Sequence, residues 1–276
     1  MITVIFILIQ ASSMDRYGRF LERFCSELET KDYVRSLTLH GSYATGEFTP
    51  GYSDIDYFLV IDSWSRAKAR QIVQAYENSL DEKIAQVLRM PNILTMGEVK
   101  ARVTEEMGHA LIKAIIMDTR KVALGEDIYA GDKFPSIKEM KPWAAGNTTF
   151  HNVTLRRRSA LINGGSRRDY FHNLCKIFKT FTNHMIIEHD TFVANTRYDR
   201  VIATGKELGL GTSALEKVLA FRRQPDRPSI KQLGRLYEEV CALSESFEEQ
   251  ALRTSSSRRG VGHTGPRSLP AARPSP

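Results

Sequence analysis

The sequence predicts an α+β protein: a small mixed sheet flanked by helices in the N-terminal half, followed by a C-terminal helical bundle. Two patterns carry that reading. Short strand-like runs, Val34–Leu39, Asp56–Val60, Asn92–Thr95 and Arg120–Leu124, alternate with stretches of helical periodicity. From Thr148 to about Leu252 the apolar residues then keep a helical period, interrupted only by short breaks such as Gly164-Gly165, Asp190-Thr191 and Pro225–Pro228. Composition agrees: 42% of the 276 residues are hydrophobic and 26% charged, enough apolar side chain to bury a core.

In chain order, Met1–Gln10 is an apolar run far too short to span a bilayer, which takes about 20 residues. It also lacks the basic region and cleavage site of a secretory signal. We read it as an upstream start-codon extension or an extra edge strand, with no membrane role. Ser13 is positioned to cap a helix from about Met14 to Glu29, with Tyr17, Phe20, Leu21, Phe24 and Leu28 on its apolar face. A helix over Ser63–Ser79 has Ala67, Ile72, Val73 and Tyr76 as its expected stripe, and a longer one runs from Glu98 to about Met117. Pro and Gly between Ala130 and Asn147 predict a loop, with Trp143 docking it. The expected units are therefore residues 14–130, a linker over 131–147, a bundle over 148–252 and a disordered basic tail over 253–276.

Charge adds little. Net charge is +7, but the last 24 residues hold five arginines and no acid, so the basic balance belongs mostly to the tail. Cys25, Cys175 and Cys241 are few, odd in number and without zinc spacing, which fits reduced thiols and a cytoplasmic protein.

Chemistry concentrates in His40-Gly41-Ser42-Tyr43 and, about ten residues on, Ser53-Asp54-Ile55-Asp56 leading into an apolar strand. Alternation in a strand points Asp54 and Asp56 to one side and Ile55, Tyr57 and Leu59 to the other. Two carboxylates side by side repel unless a cation lies between them, and hard divalent ions such as Mg²⁺ or Mn²⁺ suit oxygen ligands. Gly41 permits close backbone approach and Ser42 offers a hydroxyl, as where a turn grips phosphate.

Gly41, Ser42, Asp54 and Asp56, with Ala44 and Gly46 in the intervening loop, resemble the signature of the DNA polymerase β-like nucleotidyltransferases. The similarity is greatest to minimal nucleotidyltransferases and to aminoglycoside nucleotidyltransferases. The motif covers roughly residues 33 to 62, and a looser likeness of layout runs to about residue 130. The resemblance implies an N-terminal nucleotidyltransferase domain that moves a nucleoside monophosphate from an NTP, notably ATP, to a hydroxyl. Asp54 and Asp56 would hold Mg²⁺ or Mn²⁺, and Gly41, Ser42 and Ser53 would bind the nucleotide. The acceptor would be a small aminoglycoside-like molecule, a tRNA end or a protein. The family often carries an arginine in this loop where Tyr43 and Thr45 stand here. It also carries a third carboxylate on the third strand, where Asn92 stands. The third acid or base is then sought at Glu98 or, by the layout of the helical half, at Glu188. The alternative is a regulatory protein of the same fold, such as a toxin–antitoxin component.

Other clusters read more plainly. Arg156–Arg158 with Arg167-Arg168 forms a solvated basic face. His184 and Glu188, four apart on one helix face, lack a third metal ligand at fitting spacing. His40 packs behind the Gly-Ser turn, and Tyr43 and Tyr52 are packing residues.

Overall fold

The computed structural model describes residues 16–85, 88–159 and 165–259. The apolar run Met1–Gln10, the cap expected at Ser13 and the tail beyond residue 259 lie outside them. Helix α1 (Arg16–Glu29) buries Tyr17, Phe20, Leu21, Phe24 and Leu28, the apolar face read from their spacing. It leads into β1 (Val34–His40), the one-turn helix α2 (Gly41–Thr45) and β2 (Asp56–Ile61). After α3 (Arg66–Ser79) and α4 (Glu82–Ala85) comes β3 (Asn92–Thr95); the sheet is completed by β4 (Lys121–Gly125).

The strand order is β3-β2-β1-β4. β1 runs antiparallel to both β2 and β4, whereas β2 and β3 are parallel, so the sheet is mixed. Period-two alternation divides its side chains between two cores. Leu37, Leu39, Ile55, Tyr57, Leu59 and Ile61 pack with α1 and α3. Phe58, Val60 and Leu94 pack on the other side, with Val99, Met107 and Ile116. Ser36 and Thr38 are fully buried in the central strand and bond to each other across 3.1 Å, which satisfies both hydroxyls.

The structure departs from the sequence reading in several elements. On α3 the buried face is Ile72, Ala75, Tyr76 and Ser79; Ala67 and Val73, both expected in the stripe, are exposed. The helix expected over Glu98–Met117 is three pieces, α5 (Met96–Ala101), α6 (Glu105–Gly108) and α7 (Ala110–Thr119). Arg102 takes a left-handed conformation (φ 55°) at the first break, and Val103, expected on the buried face, is 71% exposed. The segment expected to be a loop contains α8 (Ile137–Ser159), which runs straight through Pro142. Proline there removes the N–H that would bond the Lys138 carbonyl. Burial of Met140 and Ala144 against Leu111, Ala114, Ile186 and Ile187 outweighs that loss.

The rest is helical: α9 (Arg167–Leu174), α10 (Lys176–His189), α11 (Tyr198–Glu207), α12 (Ser213–Arg223) and α13 (Ile230–Arg259). α8, α10 and α13 pack together, and a buried polar seam pins them. Asn152 Nδ2 donates to the Ser244 carbonyl (2.9 Å), and the Ser244 hydroxyl bonds both Asn152 and Thr180. Residues 253–259 continue α13, so the first part of the expected disordered tail is helical. Among the described residues no helix is long and apolar enough to cross a membrane. All three cysteines are free and partly buried.

Candidate active site

The site is assembled where β1 ends and β2 begins. His40 pairs with Asp56 across the two strands, so the Gly-Ser turn lies directly beside the second aspartate. Gly41 has φ +70°, and a Cβ added there would overlap Asp56 Oδ2. Glycine is therefore required twice, by the left-handed backbone and by the carboxylate it leaves room for. Gly41 N–H donates to Thr119 Oγ1 (3.2 Å), which ties the turn to the end of α7. Ser42 is buried at the start of α2, and the helix closes on Gly46 in the left-handed conformation.

Asp56 opens β2 and Asp54 lies just before it, close enough for its charge to act on Asp56. Asp56 is pushed up to about 6, first by burial and then by the charge of Asp54, while Lys179 and Arg89 act in the opposite sense. Asp54 is one-third exposed and lies 3.9 Å from Arg89, a largely solvated and therefore weak ion pair. Among the described residues no group of three or more His, Cys, Asp or Glu side chains is spaced to hold a metal.

The other site residues expected from sequence are placed differently. Ser53 is buried, and its hydroxyl accepts from Thr49 N–H (3.0 Å) and faces Arg222 (3.5 Å), so it closes the loop. Glu98 completes a capping box at the start of α5, accepting from the Thr95 N–H (2.7 Å) and hydroxyl (2.8 Å). These bonds hold its carboxyl below its ordinary range. Glu188 is exposed near the C-terminal end of α10. It follows Lys179 by nine residues, half a turn out of phase and about 13 Å along the axis. Lys179 is the α10 residue whose charge acts on Asp56. His184, four residues before Glu188, stacks on Phe247 (4.6 Å). Tyr43 packs edge-on against Phe48 (5.0 Å), and Tyr52 packs on Phe171 and donates to Asp226 (2.9 Å).

Two residues that sequence reading missed stand at the site. Glu106, buried on α6, accepts a 3.0 Å bond from Asn92 Nδ2, and its charge acts on His40. A carboxylate therefore stands one side chain away from the third-strand position where the resemblance expects one. Burial nonetheless holds His40 down to about 4, a neutral imidazole. Arg222 on α12 is 4% exposed. It donates to the Glu47 carbonyl (2.8 Å), reaches Cys175 Sγ (3.0 Å), and lies over the rings of Tyr198 (4.2 Å) and Phe171 (4.7 Å). The loop between the two motifs is thereby held from the helical half. The available signal was an arginine at the buried spacing Leu215, Val218, Leu219, Arg222. A separate concavity of about 1120 Å³ lies between α11, α12 and α13. On its charged rim Lys206 pairs with Glu216 and Lys217 with Glu239.

The site is thus a mixed four-stranded sheet with a Gly-Ser turn at one strand end and an Asp-x-Asp at the start of the neighbouring strand. Residues 19–122 match the family described as nucleotidyltransferase domain. No curated protein sequence matches the chain. Among solved structures, it is similar to spectinomycin adenyltransferase AAD(9) from Enterococcus faecialis with ATP and spectinomycin. That similarity has 10% identity and a TM-score of 0.49, covering 83% of this chain and 98% of the other.

Proposed function

We propose that the protein transfers a nucleoside monophosphate from an NTP, ATP in the first instance, to a hydroxyl in a reaction that needs Mg²⁺ or Mn²⁺. The single observation that carries this is the Asp54–Asp56 pair set against the Cβ-less face of Gly41. The donor set fits a divalent ion: two neighbouring carboxylate groups, one disfavoured as an anion by burial and by its neighbour's charge. Such an ion, when bound, supplies charge neutralisation on the triphosphate and a lowered pKa for the attacking hydroxyl.

The chain's own residues do the rest. The backbone around Gly41 and Ser42, with the Ser42 hydroxyl, holds the terminal phosphates and stabilises charge on departing pyrophosphate. Ser53 acts indirectly, closing the loop that presents Asp54. Lys179 adds positive charge on the Asp56 side from α10. Glu106, through Asn92, takes the place sought for a third acid at Glu98 and Glu188. The N-terminal unit, residues 14–130, supplies the nucleotide side of the site, and the helices beyond it supply the wall facing Asp54 and Asp56. The test is a labelled-NTP transfer assay with Mg²⁺ or Mn²⁺. Transfer should be lost in Asp54→Asn and Asp56→Asn and reduced in Glu106→Gln. Transfer that survives both aspartate changes would sink the proposal.

A further inference from the structure

We propose that the outward face of α8 pairs two copies of this chain into a symmetric dimer, the two helices antiparallel about a two-fold axis at Phe150. Among the described residues eight large apolar side chains are exposed. Three of them, Trp143 (46%), Phe150 (65%) and Val153 (53%), lie within eleven residues of α8. Gly146 lies among them and Arg157 follows, both exposed. Positions 143, 146, 150, 153 and 157 alternate steps of three and four, the spacing of a coiled-coil seam. A helix turns about 100° per residue, which sets this row almost opposite Met140, Ala144, Asn152 and Leu155. Those four bury α8 in its own chain. Met140 and Ala144 pack on α7 and α10, Asn152 bonds Ser244, and Leu155 enters the helical core. The seam is left over once the chain's own packing is satisfied.

The order of residues along the seam selects a second copy as its occupant. In an antiparallel pair centred on Phe150, Gly146 comes opposite Val153 and Trp143 opposite Arg157, each match occurring twice, as an isologous interface requires. Large then meets small: a Cβ placed on Gly146 finds no atom within 4 Å, so open space stands where Val153 of the second copy would seat. Cation meets ring, because the Arg157 guanidinium comes to tryptophan, the best aromatic partner for a cation. The two central phenylalanines meet as an aromatic pair. A parallel pair in register would instead set Arg157 on Arg157 and Gly146 on Gly146, losing both matches. The Trp143 ring is already packed on the His109 imidazole, 3.9 Å between centroids, so little side-chain freedom is lost on pairing. From Trp143 to Arg157 the seam is about 21 Å of helix. That is the small end of specific interfaces, which places the equilibrium in the micromolar range. None of the seam residues belongs to the aspartate site, so pairing and nucleotidyl transfer are separable.

Sedimentation velocity of the full chain across the micromolar range should show a monomer–dimer equilibrium. Phe150→Glu changes an exposed position and should abolish the dimer while circular dichroism and the melting temperature stay native. Gly146→Leu improves helix propensity yet fills the open space, so it should weaken the dimer at least tenfold without loss of fold. The same charge placed at another exposed apolar side chain, Val103→Glu, should shift the dissociation constant less than twofold. Register is read by Phe150→Cys, which lies beside its own copy at the axis and should cross-link between chains with a short bis-maleimide. The native chain, whose three cysteines are partly buried, should not. A native chain that stays monomeric overturns the proposal and leaves the seam to a different protein. A dimer that survives Phe150→Glu, or a Phe150→Cys chain that does not cross-link, overturns it equally.

Discussion

Gly41 shows how tightly single residues are determined here. Its φ of +70° disfavours any side chain by roughly 1–2 kcal/mol, and a Cβ would also overlap Asp56 Oδ2. Gly41→Ala should therefore reduce transfer at least tenfold while circular dichroism stays native, because the displaced group is the carboxylate rather than the core. Normal activity in a folded Gly41→Ala protein would contradict that geometry. Arg222 is the complementary case, a buried cation whose partners are loop groups. Arg222→Met leaves the Glu47 carbonyl without its donor, at a cost of about 1–3 kcal/mol. It should lower the denaturation midpoint and reduce kcat, with Arg222→Lys restoring only part of either. The aspartate pair was found from its spacing ahead of an apolar strand. Glu106 and Arg222 were not, because their contacts join segments 14 and 175 residues apart through packing.

At the scale of elements, the strands and the first helix were legible because period-two and 3.6-residue patterns decide burial directly. The errors came where local signals were outvoted. Pro142 and Gly146 read as breakers, yet α8 forms because Met140 and Ala144 have a buried surface to meet. The run from Glu98 kept helical spacing, yet Arg102 and the Thr104 cap divide it. α8 also places His151 in a buried position, its imidazole held down to about 3 by burial first and then by Lys179 and Lys176. In the unfolded chain this group titrates near its ordinary 6.5. Protons then bind the unfolded state preferentially, so stability falls as pH drops from about 6.5 towards 3. Thermal melts of His151→Gln should show a flatter acid limb than the native chain; an unchanged limb would remove His151 from the account.

For the whole molecule, the two halves are joined by more than a connecting segment. The α7 residues Leu111 and Ala114 pack on α8 and α10, Arg197 bonds Asp118 (2.6 Å), and Arg222 holds the motif loop. Residues 14–130 expressed alone should expose that face and aggregate, whereas a chain that includes the helices should stay monodisperse. The helical half was legible as a bundle, but sequence periodicity could not say which helix faces the aspartates; that follows only from packing. The central claim, transfer chemistry at Asp54 and Asp56, is tested most directly by labelled-ATP transfer in Mg²⁺ with wild type, Asp54→Asn and Asp56→Asn side by side. The account predicts label on an acceptor with wild type and at least a hundredfold loss in both variants, with Mn²⁺ unable to rescue either; equal transfer by all three proteins would contradict it.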